Sequence, residues 1–305
     1  MSKIIKKFSL PGGVYLNKHL IHAIINAYTE HREWFYDDVE IDSVFDAFSG
    51  VWCGGRIFEY PKDQTLGDIE RIVDFYNSRG IGFRQIFTNF YAYTFIDDQR
   101  CHDIMKILNH SHLNECVLAC DFTLKVLREK YPNIKYISSC TKALLDTNLL
   151  FKELNKDEYD MVCLWISMHK PEIFKSIPEN LRSKVEMMPW QLCNPDCKYF
   201  YRCAYYINYE VLRYFHKDDI VPRPTLAYTC TAPTNIHSAD QIFKLPYVMR
   251  NDDLDKLAEQ GYVNFKINGR VSPVSQTELM KIILYYVANP QYYDEVIAYI
   301  SNYEE

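Results

Sequence analysis

The run LCNPDCKYFYRC, residues 192–203, sets Cys193, Cys197 and Cys203 close together in an aromatic stretch. Thiols at this density bind soft metals, act as nucleophiles, or pack as small hydrophobes. The C-x3-C-x5-C spacing is too irregular for a zinc ribbon or finger, which use tighter pairs with a second matching set. Iron–sulfur centres are held by thiolates and need four of them, so a distant cysteine must complete the set. Cys53, in SGVWCGGR, is the preferred fourth ligand because Gly50, Gly54 and Gly55 let backbone approach a cofactor. Cys140 in SSCTK and Cys230 in YTCTAPTN are the alternatives, and zinc or plain free thiols are the competing readings of the triplet. Cys101, Cys116, Cys120 and Cys163 stand in or beside apolar runs and read as core.

A second group of residues suits anions. Arg270 follows an alternating Val263, Phe265, Ile267 run, Arg56 follows Cys-Gly-Gly, and Lys142 follows Cys140. A guanidinium is permanently charged and bonds a carboxylate or phosphate in bidentate fashion. The three side chains are therefore expected to receive an anionic small-molecule or nucleotide-like substrate. Asp46, Asn89, Asp121 and His169 also fall at the ends of apolar runs, where they read as structural, His169 as a solvated loop residue. No G-x-S-x-G elbow, H-E-x-x-H pair or phosphate-binding glycine loop occurs.

These residues need a scaffold, and the chain alternates short apolar runs with segments of helical period. Eight strands are expected: residues 43–48, 83–88, 116–119, 135–138, 161–166, 185–189, 247–250 and 263–267. Between them Ile69, Ile72, Val73 and Tyr76, and again Cys101, Ile104, Met105 and Leu108, repeat at i, i+3, i+4 and i+7 and predict amphipathic helices. Ser275 and Glu278 form a capping box before Leu279, Ile282, Ile283 and Tyr286. Eight strands with intervening helices imply a (β/α)8 TIM-like barrel, read as one domain over residues 1–305. A cysteine- and tyrosine-rich insert at about 190–238 interrupts the alternation.

Composition narrows the class. An apolar share of 48%, including 25 Tyr and 17 Phe, supplies a large core and argues against disorder. A net charge of -6 without a basic stripe lacks the footprint of a nucleic-acid binder. Pro11, Gly12 and Gly13 break any signal-peptide core, and no apolar run approaches the ~20 residues of a membrane span, so a cytoplasmic protein is expected.

Residues Asn251–Pro273 resemble the signature of the collagenase-like peptidase (U-family) barrels, a helix, an apolar strand and then a KIEGR sequence. Lys266, Ile267, Gly269 and Arg270 match it, with Asn268 where that family usually has Glu, and YYVANP is similar to the helix that follows. The resemblance implies a barrel. Through the superfamily's oxygen-independent hydroxylases it also implies a [4Fe-4S] cluster on Cys53, Cys193, Cys197 and Cys203, with an electron donor as partner. The expected activity is redox modification, with a peptidase-like hydrolase or a non-catalytic zinc-binding protein as alternatives.

Overall fold

The computed structural model describes residues 3–15, 17–54, 63–225, 236–269 and 274–304. Eight parallel strands close into one barrel in sequence order: β1 Lys6–Pro11, β2 Val39–Asp46, β3 Gly82–Phe87, β4 Glu115–Leu118, β5 Lys135–Ser138, β6 Met161–Cys163, β7 Val185–Met187 and β8 Asn264–Lys266. The helices are α1 Lys18–Glu30, α2 Leu66–Asn77, α3 Gln99–Leu108, α4 Asp121–Lys130, α5 Thr147–Leu154, α6 Pro171–Ser176, α7 Glu179–Arg182, α8 Phe200–Tyr214, α9 Ala239–Ile242, α10 Asn251–Glu259, α11 Gln276–Val287 and α12 Tyr293–Ser301.

The expected number of strands is right, but one member differs. Residues 247–250 form no strand, because Arg250 is already the N-cap of α10 and leaves no room for a strand and its connection. The missing strand is β1, which pairs with β2 through Phe8↔Ile41 and with β8 through Phe8↔Phe265. Its Phe8 and Leu10 are buried in the layer beneath the helices, while Ser9 Oγ meets Ser43 Oγ of β2 at 3.0 Å. Cys53 consequently follows the second strand and Cys140 the fifth.

The helical stripes are as the spacing predicts. Ile69, Ile72, Val73 and Tyr76 are buried on α2, whose start is fixed by a reciprocal Thr65–Asp68 capping box. Cys101, Ile104, Met105 and Leu108 are buried on α3, where Asp98 caps the helix by accepting from Cys101 N. On α11, Ser275 accepts from Glu278 N, but the Glu278 carboxylate reaches across to Ala239 N at 2.7 Å. That exchange ties α9, in the long β7–β8 connection, to the barrel's outer layer. Gly269, from the KINGR sequence, has φ +142°, and a Cβ there would meet Leu279 Cδ1 at 2.4 Å. Only glycine lets the chain leaving β8 pass so close to α11. Among the described residues, no helix is long and apolar enough to cross a membrane.

Candidate active site at the barrel mouth

Alternation along the strands sends every second side chain into the lumen. Arg84, Glu115, Glu186 and Lys266 are charged residues at such positions. Arg84 of β3 donates from Nε to Glu115 Oε2 of β4 at 2.6 Å and from a terminal nitrogen to Glu186 of β7, across the barrel. All three are essentially inaccessible to solvent. Burial opposes the charge on Arg84, yet the two carboxylates raise its pKa further and keep it protonated. The carboxylates are driven apart: burial pushes Glu115 up, whereas Glu186, despite burial, is held down by Arg84 and Lys266. Lys266 of β8 places its ammonium 4.1 Å from the centre of the Phe45 ring, a cation–π contact inside the lumen.

Above this layer two thiols meet. Cys163 ends β6, and Cys140 opens the turn Cys140–Lys142 that follows β5. The neighbouring Cys163 thiol lowers the Cys140 pKa; burial opposes this and Lys266 assists it. The Cys140 neighbour, with burial, pushes the Cys163 thiol well up. A thiolate at Cys140 is thus favoured over one at Cys163. Directly after the turn, Ala143 has φ 46°, a left-handed conformation that costs a non-glycine residue on the order of 1 kcal/mol or more and concentrates at functional sites. It is held from above, since Tyr201 Oη donates to Ala143 O at 2.8 Å.

Tyr201 belongs to α8, which roofs this end of the barrel. Phe200 lies 3.9 Å from Trp165 beyond β6, Tyr205 packs on Phe90 beyond β3, and Asn208 bonds to Phe90 N. The cysteine-rich insert is therefore a cover over the C-terminal strand ends, the face where barrel enzymes do their chemistry.

The residues expected to hold an iron–sulfur cluster are not gathered. Cys53 Sγ donates to Phe48 O at 3.1 Å and lies 3.5 Å from Gln85 Nε2. Gln85 alternates with the inward Arg84 and so faces outward, which puts Cys53 in the layer between barrel and helices, near Cys101 and Cys116. Cys193 is exposed, and Cys197 and Cys203 are half-buried on the insert. Among the described residues, no three His, Cys, Asp or Glu side chains converge as metal ligands. As placed, these four thiols do not fit a four-thiolate cage, Cys53 lying in the layer outside the barrel and Cys193 on the surface of the insert.

The anion group fares similarly. Lys142 turns away from the mouth, and its ammonium donates to Asp121, Glu153 and Tyr159 Oη in the α4–α5 layer. Those three bonds use all the protons a lysine has. Burial raises Asp121's pKa, but Lys142 and Lys156 overcome it and bring the carboxyl down to about 2. Arg56, Arg270 and Cys230 lie outside the described residues. Lys266, Glu186, Arg84 and Cys163 are residues of this mouth to which the cysteine triplet and the glycine-flanked arginine do not point.

His169 is not the solvated loop residue expected. Both ring nitrogens are buried without a hydrogen-bond partner, and burial drops its pKa to about 3. It lines a cavity of about 590 Å³ with Lys170, Phe174, Tyr247, Met249 and Lys256, beside the end of β6. A larger cavity of about 800 Å³ lies between α1 and α2, on the opposite flank of the barrel. Because unfolded histidine takes up a proton near 6.5 and folded His169 does not, stability is expected to fall as pH drops from about 6.5 towards 3. In urea titrations across that window, His169→Phe should flatten the slope; an unchanged slope would remove His169 as its source.

An eight-stranded parallel barrel with a polar lumen and a helical cover over its C-terminal end defines the (β/α)8 class. Within that class, a solved structure described as a U32 peptidase is similar to this chain, with a TM-score of 0.51 and 11% sequence identity, covering 90% of this chain and 96% of the other. No family model matches the sequence, and no curated protein matches it.

Proposed function

We propose that the chain is a peptidase-like hydrolase whose nucleophile is Cys140. The observation that carries the reading is Cys140 at the mouth, opening a turn that ends in the strained Ala143, with Cys163 and Lys266 both holding its thiol pKa down. A barrel shared with a U32 peptidase supports the reaction class. In this reading the Cys140 thiolate attacks a peptide carbonyl carbon, and the carbonyl oxygen takes the negative charge. Collapse of that intermediate expels the amine, which takes its proton from the Lys266 ammonium or from water. Water then cleaves the thioester. The tyrosine-rich face of α8, with Tyr201 and Tyr205 about 43% exposed, offers flat apolar area over which a peptide can lie.

The test is a peptide pool incubated with the protein and read by mass spectrometry. Cleavage that stops when Cys140 alone is alkylated, as shown by peptide mapping, supports the proposal. Cleavage that persists with Cys140 fully alkylated overturns it, as does the absence of any cleaved peptide.

A further inference from the structure

We infer that Cys140 and Cys163 form a hydroperoxide-responsive dithiol, which oxidation closes into a disulfide bridging the ends of β5 and β6. The register carries the geometry. Ser138 of β5 is paired with Val162 of β6, so Cys163 is one residue past that pair and Cys140 two residues past it. Neighbouring strands run about 4.8 Å apart, and a disulfide spans Cα atoms roughly 4.4–6.8 Å apart, so the two strand ends are already within bridging range. Each thiol also acts on the other, Cys140 being held down and Cys163 pushed up by its neighbour.

The two sulfurs are not equivalent. Cys163 is 2% exposed at the floor of the mouth, whereas Cys140 is half-buried on the turn above it. A small oxidant from solvent therefore reaches Cys140 first, where Lys266 favours the thiolate. The Cys140 sulfur attacks one oxygen of the hydroperoxide, breaks the O–O bond and becomes a sulfenic acid; the other oxygen leaves as an alcohol, or as water when the oxidant is hydrogen peroxide. Cys163 then attacks the Cys140 sulfur, and the sulfenic hydroxyl departs as water with the Cys163 proton. Glu186, paired in register with Cys163, is placed to relay that proton. Two thiols lose two electrons and two protons, and the peroxide takes up both.

The molecule contains its own control. Cys53, Cys101 and Cys116 are fully buried, and burial drives the Cys101 and Cys116 thiols well up, so these three are expected to stay reduced. Closing the bond also ties up the proposed nucleophile. That regulatory consequence rests on the hydrolase reading, whereas the bond itself does not.

The experiment treats the full chain with graded hydrogen peroxide, blocks free thiols, and maps the peptides by mass spectrometry. Expected is a cross-linked peptide pair containing Cys140 and Cys163, lighter by two hydrogens than the separate peptides and released by dithiothreitol. In Cys163→Ala the bridge cannot form, and Cys140 should accumulate as a sulfenic acid trapped by dimedone. Recovery of both wild-type thiols in the reduced, blocked form after peroxide would overturn the inference, as would bridging of Cys140 to Cys193, Cys197 or Cys203. The wild-type mapping decides the matter even if the variant folds poorly. If the bridge forms in a protein that never cleaves peptides, the hydrolase reading alone fails.

Discussion

Arg84→Met is expected to destabilise the protein by about 3–5 kcal/mol, the usual cost of breaking a buried ion pair by removing one partner. Methionine keeps most of the volume, so the loss is electrostatic: Glu115 and Glu186 would remain in the lumen without their shared cation. One oxygen of each carboxylate already has no hydrogen-bond partner, so neither has a substitute for the lost bond. The triple change Arg84→Met, Glu115→Leu, Glu186→Leu is expected to recover most of the loss, because it removes the charges together with their desolvation cost. Urea midpoints for both variants make the comparison. A single variant within about 1 kcal/mol of the parent would show that the triad is not what holds this layer together.

Cys140→Ala is expected to lower peptide hydrolysis on the order of 10⁶-fold, the scale on which loss of a nucleophile acts. Cys163→Ala should cost far less and instead change the pH profile. It removes the neighbouring S–H, so the activity limb set by Cys140 ionisation should move to higher pH. Lys266→Met should move the same limb in the same direction by removing a favourable charge. Loss of activity without any change of profile in Cys163→Ala and Lys266→Met would leave Cys140 a structural residue of the turn. Unchanged folding by circular dichroism is the companion measurement.

Much of the barrel is legible in the sequence because its outer layer is made by periodicity. The stripes on α2 and α3 and the cap of α11 follow from spacing alone, and so do seven of the eight strands. The first strand is hidden by its lysines: KKFSLP reads as a charged leader, although Phe8 and Leu10 already alternate with Ser9. The site was readable by a signal left unused. Arg84 in GFRQIF, Glu115 in ECVL, Glu186 in VEM and Lys266 in NFK are single charges set inside otherwise apolar strands. A charge in such a run must either break the strand or meet a partner within the lumen. The cysteine triplet drew attention because it is dense in sequence. The pair that meets in space, Cys140 and Cys163, is separated by a whole βα unit and becomes visible only through strand register.

Lys7 is paired with Asn264, and Tyr299 Oη of α12 bonds to Glu30 at the end of α1. During synthesis the barrel therefore stays an open sheet until β8 has left the ribosome, with β1 and β7 as its two free edges. Such edges invite pairing with other chains, and closure between sequence-distant partners is slow. Lys6 and Lys7 supply charge at the exposed start of β1 during that interval, paired with Asp38, Glu40 and Asp42 at the start of β2, and closure adds Asp255 of α10 to Lys6. The residues that disguise the first strand in the sequence are thus also suited to guard it while the nascent chain waits for its last one.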